Sequence, residues 1–72
     1  MSTLGDRIKE KRIAAGFSAD DLAKRIGKNR ATVYRYESGD VDIPVSVVGE
    51  IALALDASPA YLMGWEEEKP II

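Results

Sequence analysis

The sequence predicts an all-α fold, one compact domain of five short helices within 72 residues. Three observations carry that prediction. Residues that favour helix starts (Thr3, Ser18, Asn29 and Ser58) stand ahead of apolar residues spaced three and four apart. Glycines follow four of the stretches, at Gly16, Gly27, Gly39 and Gly64. No stretch alternates apolar and polar residues for long enough to build a sheet; Val41 to Val48 comes closest, and Pro44 interrupts it.

Each helix follows from its own start and stop. Thr3-Leu4-Gly5-Asp6 reads as a capping box with Asp in place of the usual Glu or Gln. Leu4, Ile8, Arg12 and Ala15 then make one stripe, which Gly16 ends in a left-handed residue. Ser18 with Asp21 repeats the box, Leu22, Ala23 and Ile26 supply the apolar side, and Gly27 is the stop. Asn29, a cap residue worth about 1 kcal/mol over alanine, opens a third helix that Gly39 closes. Asp40 to Ile43 form a loop. Pro44 suits the start of a fourth helix, with Val48, Ile51, Ala52 and Leu55 as its stripe. Gly49 inside it costs about 1 kcal/mol against alanine. Ser58-Pro59 starts a last short turn through Ala60 to Met63. The domain is expected over residues 1–65; residues 66–72, with Glu66 to Glu68 and Pro70, read as an acidic tail or the start of a linker.

Composition narrows the chemistry. With no cysteine and no histidine, a disulfide framework and the commonest metal sites are excluded, and no cofactor is expected. There is no Gly-rich phosphate loop and little chain with which to desolvate catalytic carboxylates, which argues against an enzyme. Asp40-x-Asp42 lacks the further oxygen ligands of a calcium loop. The longest clean apolar run, Ile51 to Leu55, is far short of the roughly 20 residues that span a bilayer. The N-terminus lacks a secretory signal, so a cytoplasmic location is the default expectation, with no membrane partner. The net charge of −2 hides an asymmetry. Residues 1–39 hold nine of the ten Lys/Arg against five acids; residues 40–72 hold only Lys69 against seven acids. One basic and one acidic face are expected, and only the local field matters to a polyanion.

The informative stretch runs from Ala19 to Ser38. Two short helices meet across Gly27, whose freedom at positive φ suits a sharp turn. Ala23 is small enough for the second helix to cross closely, and Leu22, Ile26, Val33 and Tyr36 face one another. That is helix-turn-helix geometry. At about 100° per residue, Val33, Tyr36 and Glu37 share an arc of about 100° with Asn29. Ala31, Tyr34, Arg35 and Ser38 fall on the other side and Arg30 on its flank. This outer face has no acid. Its length of about 13 Å suits a major groove about 12 Å wide.

The chain resembles the lambdoid-phage repressor and Cro family, also called the xenobiotic-response-element family. The likeness spans about Leu4 to Trp65 and rests on Arg7-Ile8-Lys9-x-x-Arg12, Leu22-Ala23-x-x-Ile26-Gly27, Val33 to Gly39, Pro44, Ile51-Ala52-x-Ala54-Leu55 and Ser58-Pro59-x-Tyr61-Leu62-Met63-Gly64-Trp65. The resemblance implies a five-helix repressor-like domain that binds a palindromic operator in double-stranded DNA as a homodimer. Longer members continue into a dimerisation and self-cleavage domain, so an N-terminal fragment is one expectation. By position, Asn29, Arg30, Ala31 and Arg35 match base readers, joined here by Tyr34 unless its ring is an idle surface group. Arg12, Ser18, Lys28 and Ser38 match phosphate contacts. Arg12 with Glu37 also matches a structural pair between the first and third helices. Three departures stand out: Ala19 replaces a frequent Gln, Asp40 and Asp42 replace a basic loop, and Gly49 interrupts a helix.

Tyr61, Met63 and Trp65 are expected at a two-fold dimer interface, against the alternative that Tyr61 and Leu62 cap the small core. Lys24 and Arg25 read as a solvated face. The expected function is transcriptional regulation, by repression more readily than activation. The alternative is a protein-interaction module, such as an antitoxin that also regulates its own promoter.

Overall fold

Side-chain oxygens decide where four of the five helices begin. The computed structural model describes residues 3–64, and among these it is helical with no strand. The helices are α1 (Leu4–Ala14), α2 (Ala19–Ile26), α3 (Arg30–Ser38), α4 (Val45–Leu55) and α5 (Pro59–Met63). Thr3 Oγ1 accepts from the Asp6 amide at 3.1 Å, and the Thr3 amide donates to Asp6 Oδ2 at 3.3 Å. Ser18 and Asp21 repeat the exchange at 3.0 Å each way. Asn29 Oδ1 accepts from both the amide and the hydroxyl of Thr32, at 2.8 and 2.9 Å. Ser58 Oγ accepts from the Tyr61 amide at 3.3 Å, with Pro59 at the first helical position.

Three local details stand out at the helix ends. Pro44 stands at the start of α4 as its cap. Its carbonyl, not a side chain, starts the helix by accepting from the amides of Val47 and Val48 at 2.9 and 3.0 Å. No glycine ends α4; Asp56 takes the left-handed conformation there, with φ of 54°. Asp is one of the few residues with a side chain that does so readily. Ala15, expected on the α1 stripe, is an exposed cap residue beyond its helix.

The core is formed by Ile8 of α1, Leu22, Ala23 and Ile26 of α2, Val33 and Tyr36 of α3, Val47, Val48, Ile51, Ala52 and Leu55 of α4, and Leu62 of α5. α2 packs on both α3 and α4, while α1 packs against α3 and α5. The apolar side of α1 is thin: its buried residues are Gly5, Ile8 and Arg12. It compensates with polar anchors. Arg7 Nη1 donates to the Tyr61 carbonyl at 2.8 Å, and both Arg7 and Lys11 lie over the Tyr61 ring, 5.3 and 4.8 Å from its centre. Among the described residues no helix is long and apolar enough to cross a membrane.

Candidate nucleic-acid interface

The α2–turn–α3 unit is fixed from below before it presents anything above. Gly27 caps α2 with φ of 70°, and the Lys28 amide donates back to the Ala23 carbonyl at 2.9 Å. Ala23 is 1% exposed, a small side chain that lets a neighbouring helix pack closely on α2. From Asn29 onward the chain enters α3, which buries Val33, Tyr36 and Glu37. Of the arc read from sequence, these three are buried and Asn29, the cap, is exposed. Arg30, Ala31, Tyr34, Arg35 and Ser38 are all exposed, on a helix whose other side is anchored.

A charged clamp holds α3 to α1. Arg12 Nε donates to Glu37 Oε2 at 2.6 Å, Nη2 to Glu37 Oε1 at 3.2 Å, and Nη1 to the Phe17 carbonyl at 2.9 Å. Both residues are 8% exposed. The hydrogen bond to Glu37 raises the Arg12 pKa above its already high value, burial works against that, and the Glu37 charge adds to the rise. Arg12 is thus charged at every working pH. Three of its N–H bonds are committed within the protein, so its first duty is structural. The phosphate contact expected of it falls to whatever remains of a nearly buried guanidinium.

Gly5 completes this junction, and sequence reasoning saw it only as a residue inside the capping box. A Cβ at Gly5 would overlap the Glu37 carbonyl oxygen and lie 2.6 Å from that of Tyr36. α1 therefore rests directly on the end of α3, where only a hydrogen fits. Phe17 was also missed. It receives Arg12 at its carbonyl, and its ring carries the Arg25 guanidinium 4.3 Å from its centre.

The remaining site residues carry local commitments. Ser18 accepts from the Asp21 amide, and its own amide donates to the Asp21 carboxylate. That exchange, backbone first and hydroxyl second, holds the Asp21 pKa below its ordinary value. Ser38 Oγ gives its hydrogen to the Arg35 carbonyl at 3.1 Å. Lys28 is exposed on the turn. Lys24 sits 3.9 Å from Asp20, an exposed pair worth little. Ala19, where the resemblance led to the expectation of Gln, is 2% exposed. Asp40 and Asp42 are exposed in the loop after α3. Tyr61 and Met63 are half-buried against the core of their own chain, and Trp65 lies outside the described residues.

Residues 8–62, from the middle of α1 to α5, match the HTH_3 helix-turn-helix family. The chain belongs to that family. Its HTH_3 fold is close to several solved structures. The P22 c2 repressor, solved in complex with a synthetic operator, superposes with a TM-score of 0.84 over 92% of this chain and 100% of that one; at 21% identity this shows the fold alone. The restriction-modification controller protein C.AhdI from Aeromonas hydrophila is 33% identical, with a TM-score of 0.79 over 83% of this chain and 87% of its own. SinR, a master regulator for biofilm formation solved in complex with DNA, is 26% identical with a TM-score of 0.76, covering 83% and 97%. Among curated relatives, a Pyrobaculum aerophilum protein named for HTH-type transcriptional regulation is 38% identical over 47 residues, 65% of this chain and 19% of its own length. A Saccharolobus solfataricus protein of similar name is 39% identical over 44 residues, 61% of this chain and 14% of its own. The matched part of this HTH_3 chain thus spans less than a fifth of either relative.

Proposed function

We propose that the chain is a DNA-binding transcriptional regulator, acting as a repressor, that inserts α3 into the major groove of a palindromic operator as a homodimer in the cytoplasm. One observation carries this. α3 is clamped to the fold through Val33, Tyr36 and Glu37 while Arg30, Ala31, Tyr34 and Arg35 project from it with no acid among them. The solved operator complex of the P22 c2 repressor and the DNA complex of SinR support it by likeness of fold.

Roles follow from chemistry. Arg35 offers a bidentate fork to guanine, and Ala31 an apolar contact to a thymine methyl. Arg30 and Tyr34, one turn apart on the same flank of α3, reach base edges along one side of the groove. Asn29 has its carbonyl oxygen occupied by Thr32, so it reads a base only as a donor, through Nδ2. Lys28, Ser18 and Ser38 border the phosphates, Ser38 by turning its hydrogen away from the Arg35 carbonyl. Arg12 supports them mainly by holding α3 in place.

The test is selection of bound duplexes from a random pool, at high protein concentration and low salt. An inverted repeat with half-site centres about 34 Å apart is expected. Recovery of no sequence would overturn the reading in favour of a protein-interaction module. One fold neighbour, SinR, has also been solved with the SinI protein.

A further inference from the structure

α4 meets the core through Val47, Val48, Ile51, Ala52 and Leu55. Its opposite face consists of Val45, Ser46, Gly49, Glu50 and Leu53, all exposed. A helix face turned to water is ordinarily polar. This one carries a single charge, Glu50, together with Val45 at 76% and Leu53 at 85% exposed, the most exposed large apolar side chains among the described residues. Val45, Gly49 and Leu53 are spaced four apart and therefore stand in one row.

Gly49 has no reason to be glycine within the chain. A Cβ there would meet nothing within 4 Å, and its φ is not positive. Glycine is also the weakest helix former after proline. A small residue at the centre of an exposed row, flanked by two large ones, has a use only where another backbone comes close.

We propose that this row is the seam of a two-fold dimer of the chain, with the α4 helices of two copies crossing antiparallel at Gly49. The pattern large–small–large is symmetric about Gly49, so reversal maps it onto itself, as an isologous contact requires. Val45 of each copy then meets Leu53 of the other. That self-complementarity selects a second copy over an unrelated partner. Beside Leu53 lies a groove of about 410 Å³ lined by Arg25, Ile26, Glu50, Leu53 and Ala54, with room to admit Val45 of the second copy. Its rim holds one cation and one anion, so two copies meet there without net repulsion although each chain is acidic overall. Tyr61 and Met63 keep the packing within the chain that they already have.

The helix is about 16 Å long, and its outer face buries less than the roughly 800 Å² per partner of a standard interface. The dimer is accordingly weak alone. The seam supplies the partner that the operator reading requires and rests on that reading for its purpose, but it forms without DNA.

The experiment is sedimentation equilibrium of the full chain without DNA, up to about 1 mM, for wild type, Leu53→Asp and Gly49→Ala, with thermal melts of each. Wild type is expected to dimerise, and Leu53→Asp to associate at least about ten-fold more weakly with only a small fall in melting temperature, since the side chain is solvated and aspartate is merely the poorer helix former. Gly49→Ala is expected to melt higher yet associate several-fold more weakly, a pair of opposite effects that a folding defect cannot produce. A wild type monomeric throughout, or a Leu53→Asp dimer of undiminished strength, overturns the seam. A Gly49→Ala protein that melts higher and dimerises as well as wild type overturns the crossing at Gly49. A Leu53-dependent dimer that selects no DNA sequence upholds the seam and refutes the operator reading.

Discussion

Glu37 is the residue whose charge keeps Arg12 in place, and the two are easier to remove together than apart. Replacing Glu37 with Gln strands a guanidinium that is 8% exposed, and breaking a buried pair in this way costs about 3–5 kcal/mol. Urea unfolding is expected to show that loss for Glu37→Gln and a much smaller one for the paired change Arg12→Met with Glu37→Leu. Equal losses would mean that the pair adds net stability of its own. On the opposite face of the same helix, Arg35→Ala should leave unfolding untouched, because the side chain is exposed. Its effect belongs to recognition. Loss of one bidentate contact relaxes discrimination by about 1–3 kcal/mol at one base pair of each half-site, read by repeating the duplex selection. An unchanged selected sequence would remove Arg35 from the reading set.

At the scale of elements, the position of α3 depends on how closely α1 lies upon it. Gly5→Ala forces a methyl group against the Tyr36 and Glu37 carbonyls, which are backbone and cannot swing aside. Overpacking of this kind costs about 1–3 kcal/mol, and calorimetry should show it as a lowered melting temperature. The cap of α2 gives a pH test. Asp21 has its pKa lowered from 3.8 by the Ser18 amide, then by the Ser18 hydroxyl. A depressed carboxylate contributes stability that is fully present above the unfolded value of 3.8 and is lost as pH falls through the lower folded value. Asp21→Asn is therefore expected to unfold more easily than wild type at neutral pH, with the difference closing in strong acid. A gap independent of pH would show that the carboxylate charge is not what the cap uses.

Across the whole molecule, the division of charge decides how it approaches a polyanion. Nine of the ten cations precede residue 40, and the site stretch Lys28 to Ser38 holds Arg30 and Arg35 on its exposed side. Asp40 and Asp42, exposed immediately after α3, oppose that field. Phosphate neutralisation gives a slope of log K against log salt of about −0.9 for each phosphate contacted, so a shallow slope is expected here. Replacing both aspartates with lysine should steepen it by about two per protomer and tighten binding at low salt. Unchanged slopes would place that loop away from the DNA backbone.

How much of this was legible in the sequence depends on the range of each interaction. Caps at Thr3, Ser18, Asn29 and Ser58 act within three residues, so their side chains announce the helices directly. The buried arc of α3 follows from helical period alone, and Val33, Tyr36 and Glu37 lie on it. The end of α4 was less legible because Asp56 does a turn's work without being glycine. Gly5 was invisible for a different reason. Its neighbours in space are Tyr36 and Glu37, more than thirty residues away, and nothing in its local sequence encodes that approach. The same holds for the stacking of Arg7 and Lys11 on Tyr61. The sequence by itself determined the five helices and which face of each is apolar, since both depend on neighbours within a turn or two. The distance between α1 and α3, and the commitment of Arg12 to Glu37 before any phosphate, were decided by tertiary structure, because packing alone sets how near two helices come.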